Sequence, residues 1–353
     1  MSPKRPAVST ADGSQWPRRL AFLLLPEFNM LSMAGSIEPF RVANHLLNDR
    51  FFEWVVVSAN AQSVVASNGV NIEPDGDLAT ARHADLTVVC ASWFPERHGT
   101  PEVLRWLRER SAEGMRLGGV DTGSFVLAAA GVLDRQEATC NYDVLDAFRD
   151  RFPKVIVSDA MYVANARHVT CSGSTAPLDL AVTLVGQACG EQLADQVASH
   201  MFHQRFGGST PSQLGLVNAG IDVEDERLAA AIVTVRDNLS HPLTVVELAD
   251  RAGTSPRNLR RLFAQAFGET PSAYGMRVRL DRARQLVLHT ELRILDVAMA
   301  TGFEGPEHFS RSYRAAFGTA PLRDRKAHRP RLAPTTFPER LGKPEARSPQ
   351  STF

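Results

Sequence analysis

Residues 243–271 and 292–321 repeat one another, and this repetition constrains the chain more than any other feature of its sequence. The first segment reads LTVVELADRAGTSPRNLRRLFAQAFGETP and the second LRILDVAMATGFEGPEHFSRSYRAAFGTAP. Leu248-Ala249 aligns with Val297-Ala298, Gly253 with Gly302, Leu259 with Phe309, and Phe267-Gly268 with Phe317-Gly318. The offset is 49 residues before the turn and 50 after it, so one residue is inserted in the second turn. A match of this length at nearly constant offset predicts one supersecondary unit built twice.

Each copy carries the punctuation of two short helices joined by a tight turn. In the first, Thr244 and Glu247 form a Thr-x-x-Glu capping box that opens a helix running to Arg251 or Ala252. Ala249 is small enough for a second helix to cross closely, and Gly253 can take the left-handed backbone a turn needs. Ser255 supplies an N-cap oxygen and Pro256 the first helical position. Leu259, Leu262, Phe263 and Phe267 then fall on one face, leaving Arg257, Asn258, Arg260 and Arg261 on the other. A second helix with that outward chemistry can enter the major groove of DNA, where Arg reads guanine and Asn reads adenine. The second copy buries Phe309, Tyr313 and Phe317 and presents Pro306, Glu307, His308 and Arg311, a less basic set suited to fewer base contacts or to phosphate. The helical pattern from Pro271 to Thr290 between them is long enough to space two recognition helices about one DNA turn apart, ~34 Å.

Charge points the same way. The whole chain is formally neutral, with 39 basic and 39 acidic residues, but the balance is segregated. Residues 251–331 hold 16 Lys and Arg against 7 Asp and Glu, leaving 23 basic and 32 acidic residues elsewhere. A basic module joined to an acidic body fits double-stranded DNA as a partner. A solvated helical bundle with surface arginines would account for one copy alone; it accounts poorly for two copies with segregated charge.

No uninterrupted apolar run is long enough to cross a membrane, and MSPKRPAVSTADGSQWPRR at the start lacks the apolar stretch of a secretory signal. A cytoplasmic location is expected. Cys90, Cys140, Cys171 and Cys189 lack the paired short spacings of a metal cluster or disulfide framework, so free thiols, and neither metal nor cofactor, are expected.

From Arg18 onward short apolar runs alternate with helical patterns. Strands are predicted at Leu20–Leu25, Trp54–Ser58, Leu86–Ala91, Leu117–Val120 and Val155–Ser158. Helices are predicted at Met30–Leu47, Pro101–Glu113, Gly123–Ala130, Asp143–Phe152 and Thr175–Ala188. The alternation indicates a three-layer α/β sandwich, flavodoxin-like, with a mainly parallel sheet, ahead of an all-α C-terminal domain. Within it, GGVDTGSFVLAAAG from Gly118 to Gly131 runs a strand into a helix through a small-residue turn at Asp121-Thr122-Gly123. That is the geometry of a nucleophile elbow, which lifts one side chain above the sheet beside a helix N-terminus.

The C-terminal repeat resembles the AraC-type DNA-binding domain, over about 85 residues. The likeness rests on L-A-x-x-A-G-x-S-x-x-x-L-x-R-x-F at Leu248–Phe263, GFEGPEHFSRSY at Gly302–Tyr313 and FGTAP at Phe317–Pro321. The α/β part resembles the PfpI-like, glutamine-amidotransferase-like domain that GlxA-type regulators fuse to such a module. Its carriers are FLLLPEF-x-M at Phe22–Met30, IEPFRVAN at Ile37–Asn44, SNGV at Ser67–Val70, DTGSFVLAAAGVLD at Asp121–Asp134 and TCSGSTAPLDLAV at Thr170–Val182. Enzymes of that superfamily place a cysteine at the elbow, where this chain has Asp121; their acid falls at Ser32 and their histidine near Asn141. The resemblance therefore implies a regulator that keeps the pocket without its chemistry, rather than an enzyme, the alternative being a PfpI-superfamily hydrolase or amidase carrying a DNA-binding module. It also implies a homodimer, an activator more than a repressor, and RNA polymerase as a further candidate partner.

Ligands of open α/β sheets bind at the C-terminal ends of the strands. The loops expected to converge there bring Glu27, Trp93, Phe94, Thr122, Phe125, Asn141 and Tyr142 around Asp121. A carboxylate among aromatic faces suits a small nitrogenous effector such as a quaternary amine or a basic amino acid. Asp121 as a plain helix cap, and Trp93 and Phe94 as core residues, are the simpler alternatives. The expected organisation is a disordered tail at 1–17, an effector-sensing and dimerisation domain at 18–205, a linker at 206–228, the DNA-binding domain at 229–328 and a disordered tail at 329–353.

Overall fold

The computed structural model describes residues 17–206, 212–213 and 225–327. Apart from Pro17, the expected disordered tails lie outside the described residues.

The first unit opens with β1 (Arg19–Leu24), α1 (Met30–Leu47) and β2 (Glu53–Val57), then a small hairpin of β3 (Val64–Val65) and β4 (Asn71–Ile72). Next come β5 (Leu86–Ala91), α2 (Pro95–His98), α3 (Pro101–Ala112), β6 (Arg116–Asp121) and α4 (Gly123–Ala129). It continues through β7 (Glu137–Ala138), α5 (Leu145–Arg151), β8 (Ile156–Val157), β9 (Tyr162–Ala164), β10 (His168–Cys171), α6 (Ala176–Cys189) and α7 (Glu191–His200). Six strands form the main sheet in the order β2-β1-β5-β6-β10-β9, parallel except for the β10–β9 pair. Both faces are covered, which is why β1 reads as a continuous apolar run. Leu20, Phe22 and Leu24 face the layer that contains α1, α6 and α7, while Ala21, Leu23 and Leu25 face the layer of α3, α4 and α5.

The three-layer α/β architecture is the expected one, with three differences. Val155–Ser158 supplies β8, which pairs with β7 in a separate two-stranded ribbon and not with the main sheet. The strands that complete the main sheet are β9 and β10, of three and four residues, too short to give a period. Helix α7 was also not expected; Gly190, at φ +96°, separates it from α6 and lets it fold back on that helix.

The second unit is helical. It runs through α8 (Glu226–Asp237), α9 (Val245–Arg251), α10 (Pro256–Phe267), α11 (Pro271–His289), α12 (Ile294–Ala300), α13 (Pro306–Phe317) and α14 (Pro321–Ala327). The expected linker, 206–228, lies mostly outside the described residues, but Gln213 within it is buried in the α/β unit, bonding Thr139 Oγ1 at 2.8 Å and Cys140 O at 3.0 Å. Helix α8 begins inside that span because Asp225 caps it, accepting from the N–H groups of Arg227 and Leu228.

Two cores serve the helical unit. Leu248, Ala249, Leu259, Leu262 and Phe263 pack with Leu228, Ala231 and Ile232 of α8 as a cluster of their own. Val297, Ala298, Phe303, Phe309 and Tyr313 belong instead to the cluster that contains Leu117, Phe125 and Phe148 of the α/β unit.

Candidate nucleic-acid interface and elbow site

The first repeat forms as its punctuation implies. Both bonds of the Thr244–Glu247 capping box are made. Gly253 sits at φ +65°, and Ser255 Oγ accepts from Asn258 N at 3.2 Å to start α10. Leu259, Leu262 and Phe263 are buried, and Arg257, Arg260 and Arg261 lie exposed on the opposite face. Asn258 is half-buried and engaged internally: its Nδ2 donates to Thr254 Oγ1 at 2.8 Å and its Oδ1 accepts from Arg261 at 2.9 Å. It braces Arg261, which also donates to Gln265 Oε1 at 2.6 Å, so this arginine is held in place on the exposed face beside Arg257 and Arg260.

The second repeat has helices of the same lengths, one more residue in its turn, and fewer local supports. Its first helix, α12, is capped by Arg293 without a side-chain bond, and α13 starts from Gly305, which has none to offer. The missing support comes from outside the repeat. Arg279 on α11 is buried, stacks on Phe303 at 4.3 Å and donates to Thr301 O and Gly302 O, satisfying carbonyls at the end of α12. Tyr313 donates to Asp324 Oδ2 at 2.8 Å, and Asp324 also pairs with Arg284 of α11 at 3.2 Å. Pro306, Glu307, His308 and Arg311 are exposed, with the His308 ring edge-on to Phe303 at 5.4 Å.

Asp121 ends β6 at φ +59°, the left-handed conformation of an elbow. Glycine makes this turn feasible. A Cβ on Gly123 would lie 2.2 Å from Val89 O, and one on Gly119 would lie 2.7 Å from Ser124 N, so α4 can double back over the sheet only because both lack one. Gly173, in the TCSGSTAP segment, closes the elbow from above: a Cβ there would come within 2.9 Å of the Asp121 side chain. Asp121 is 3% exposed, and burial raises its carboxyl to a pKa of about 7 despite hydrogen bonds from Asn29, Ser92 and Asn141. The Asn29 Nδ2 donates to Asp121 Oδ2 at 3.1 Å. Among the described residues no ion pair neutralises this carboxyl.

Asn29 is the contact that sequence reasoning missed. Its signal was its place just before α1: as the N-cap it turns Oδ1 to Ser32 N, which leaves Nδ2 aimed at the elbow. Ser32 itself, at the position of the superfamily's acid, is buried with an unbonded Oγ. Asp121 is not a helix cap; Thr122 occupies the N-cap position of α4 and gives its hydroxyl to Ser92 O at 2.6 Å.

The other expected effector contacts are dispersed. Asn141 donates its backbone N–H to Asp121 O at 3.2 Å, and Tyr142 beside it is 38% exposed. Glu27 is buried at φ +64° and faces His98 Nε2 at 3.4 Å. Its loop is held by the Ser67–Val70 segment, since Glu27 N donates to Val65 O and Ser67 N to Phe28 O. Trp93 is half-buried, and Phe94 is buried under the Arg97 guanidinium at 4.7 Å. Phe125 is a correction: α4 turns it into the helical layer, where its ring meets Phe148 at 5.0 Å and Phe152 at 5.8 Å, so it is a core residue.

Cysteine chemistry has no footing here. Burial pushes the Cys171 thiol up to about 12 and raises Cys140 well above its usual range, so neither offers a thiolate at neutral pH. Among the described residues no three His, Cys, Asp or Glu side chains converge as a metal site, and no helix is long and apolar enough to cross a membrane.

Comparison with known proteins gives the two units their relatives. Residues 19–187 match the DJ-1/PfpI family and residues 248–327 a helix-turn-helix domain family. The HTH-type transcriptional regulator CdhR of Pseudomonas aeruginosa is 40% identical over 317 residues, covering 90% of this chain and 94% of that protein. The chain belongs to the GlxA-type transcriptional regulators of the AraC family. The HTH-type transcriptional regulator GlxA of Rhizobium meliloti is 30% identical over 316 residues, covering 89% of this chain and 97% of that relative. A crystal structure of an AraC family transcriptional regulator from Pseudomonas putida covers 52% of this chain and 100% of its own, at 26% identity and a TM-score of 0.49. This regulator is a DNA-binding protein and not an enzyme: its full-length relatives are transcriptional regulators, and it carries an AraC-type DNA-binding domain.

Proposed function

We propose that this regulator activates transcription in the cytoplasm as a homodimer, under control of a small nitrogenous cation bound at the elbow of its non-catalytic α/β domain. The observation that carries the proposal is Asp121: an enclosed carboxyl at a strained elbow, held by amide and hydroxyl donors and, among the described residues, by no cation. Strain kept at one position where a buried charge lacks a counter-ion marks a place built for a ligand. A quaternary amine such as glycine betaine, carnitine or choline, or a basic amino acid, supplies the missing charge. Entry requires the Gly173 loop to lift. On the DNA side, Arg257, Arg260 and Arg261 are assigned to the major groove, and Pro306, Glu307, His308 and Arg311 to the second contact. Asn258 acts by positioning Arg261.

The test is a calorimetric titration of the full chain with glycine betaine, carnitine, choline and arginine, with Asp121→Ala as control. Heat from one of them that disappears in the variant is the expected result. No heat from any, or equal heat from the variant, removes the cationic effector and leaves a regulator controlled by other means.

A further inference from the structure

The loops that frame Asp121 are also the loops that hold the second helix-turn-helix. One follows β5. It carries Ser92, Trp93 and Phe94 and continues into α2, where Arg97 forms an ion pair with Glu291 in the turn between α11 and α12. Beside it Glu96 has both carboxylate oxygens buried without a hydrogen-bond partner, and Glu96 and Glu291 both lie within electrostatic reach of Arg325 on α14. The other loop follows β7. Its Asn141 bonds the elbow, and the next two residues hold Arg282 of α11: the guanidinium donates to Asp143 Oδ1 at 3.1 Å and to Tyr142 O at 2.6 Å.

These are directed contacts. The Arg282 side chain is only 11% exposed and makes two bonds to one turn, a geometry that fixes direction as well as distance. The apolar cluster shared by Phe148 of α5 and Val297, Ala298 and Phe309 of the second unit lies under the same junction. A close-packed core has discrete arrangements, so a shift of either loop is passed on and not absorbed. The exposed face of α13, with His308 and Arg311, is left uncovered. The contacts therefore set where the second reading helix points; they do not mask it.

We propose that Asp143–Arg282 and Arg97–Glu291 form a two-point latch through which the state of the elbow sets the orientation of the second helix-turn-helix. A ligand that draws Asp121 away from Asn141 moves the Asn141-Tyr142-Asp143 turn, and with it Arg282. Such a ligand shifts the equilibrium only by its preference for one arrangement of that turn. The elbow as the input end rests on the effector proposed above; the latch itself does not.

The test uses the full chain and a charge swap. Asp143→Arg, Arg282→Asp and the double variant are compared with wild type by hydrogen exchange over residues 294–300 and 306–317. Affinity for a duplex that the wild-type protein selects from a random pool is measured alongside. Each single variant is expected to speed exchange at 294–300 by at least about threefold and to weaken duplex binding, while the double variant, which restores the ion pair but not the bond to Tyr142 O, recovers about half or more of each change. Because Asp143 lies in the α/β unit, its effect on DNA affinity cannot come from a lost DNA contact. Singles that match wild type, or a double variant as loose as the singles, overturn the latch. If Arg282→Asp fails to fold, Arg282→Gln and Arg97→Gln carry the same comparison without reversed charge. Asp121→Asn connects the two ends: it should alter exchange at 294–300 in the wild-type background and not in the Arg97→Gln/Arg282→Gln background. Identical changes in both backgrounds also overturn the proposal. Titrations without heat from any amine would remove the cationic effector and leave the swap result standing.

Discussion

The two helix-turn-helix units share a backbone plan and differ in what holds them. The first is self-sufficient: a complete capping box, a serine cap on its reading helix and a core closed by α8. The second lacks side-chain caps on both helices and draws its support from Arg279, Asp324 and a core it shares with the α/β domain. Even equivalent glycines diverge. Gly253 and Gly302 have the same left-handed turn, but a Cβ on Gly253 would meet open space, whereas one on Gly302 would lie 2.5 Å from Leu239 O. Duplication supplied two readers, and divergence left one built to stand alone and the other to respond to its neighbours.

The largest expected effect separates the two cores. Phe309→Ala and Phe263→Ala each empty a fully buried site and should each cost ~3–5 kcal/mol. In Phe309→Ala, faster hydrogen exchange should extend into α5 and α4; in Phe263→Ala it should stay within α8–α10 and the Tyr274 end of α11, where Phe263 packs. Equal spread in both would break the distinction between a shared and a private core.

The reading faces come next. Replacing Arg257, Arg260 and Arg261 together with alanine should weaken binding to a selected duplex by at least about a hundredfold, taking ~1–3 kcal/mol per lost base contact, with the melting temperature little changed. His308→Ala/Arg311→Ala should cost less and weaken binding to all sequences alike. Gel-shift titrations against selected and scrambled duplexes distinguish the two patterns, and an equal loss of specificity from both helices would contradict the division of labour.

A pH experiment probes the elbow behind the second reader. With its pKa raised from 3.8 to about 7 by burial, folded Asp121 binds its proton more tightly than the unfolded chain does. Its contribution to stability is therefore greatest below about pH 4 and is lost as pH rises toward about 7. Asp121→Asn should flatten that part of the stability profile, measured by urea unfolding between pH 4 and 8. An unchanged slope would mean that the carboxyl is more solvated than its enclosure implies. The smallest effect is local: Thr244→Ala should cost about 1 kcal/mol and raise exchange in α9, while Arg293→Ala, which loses an exposed ion pair with Asp296 but no cap bond, should change little.

How far the sequence carried depended on the range of the forces involved. The capping box, the turn glycines, the buried stripes of α10 and α13 and the double-sided β1 are local patterns, legible because helix and strand periods repeat within a few residues. The elbow was legible for the same reason, since Gly118 to Gly131 is one contiguous strand-turn-helix segment. Strands β7, β9 and β10 and the pairing of β8 were not, because two to four residues carry no period and say nothing of where a strand pairs. Asn29 went unassigned and Phe125 was placed at the pocket for a related reason: whether a side chain faces a pocket or a core is set by how helices dock on the sheet.

The sequence by itself thus determined a duplicated DNA-reading module, a basic reading face and a PfpI-like domain whose elbow bears a carboxylate in place of a nucleophile. Only the tertiary structure decided that this carboxylate is enclosed and, among the described residues, without a counter-ion, that Asn29 holds it, and that the second reader is pinned to the loops around it. Those facts depend on contacts between residues as far apart as Asp143 and Arg282, and no local periodicity encodes which distant surfaces meet.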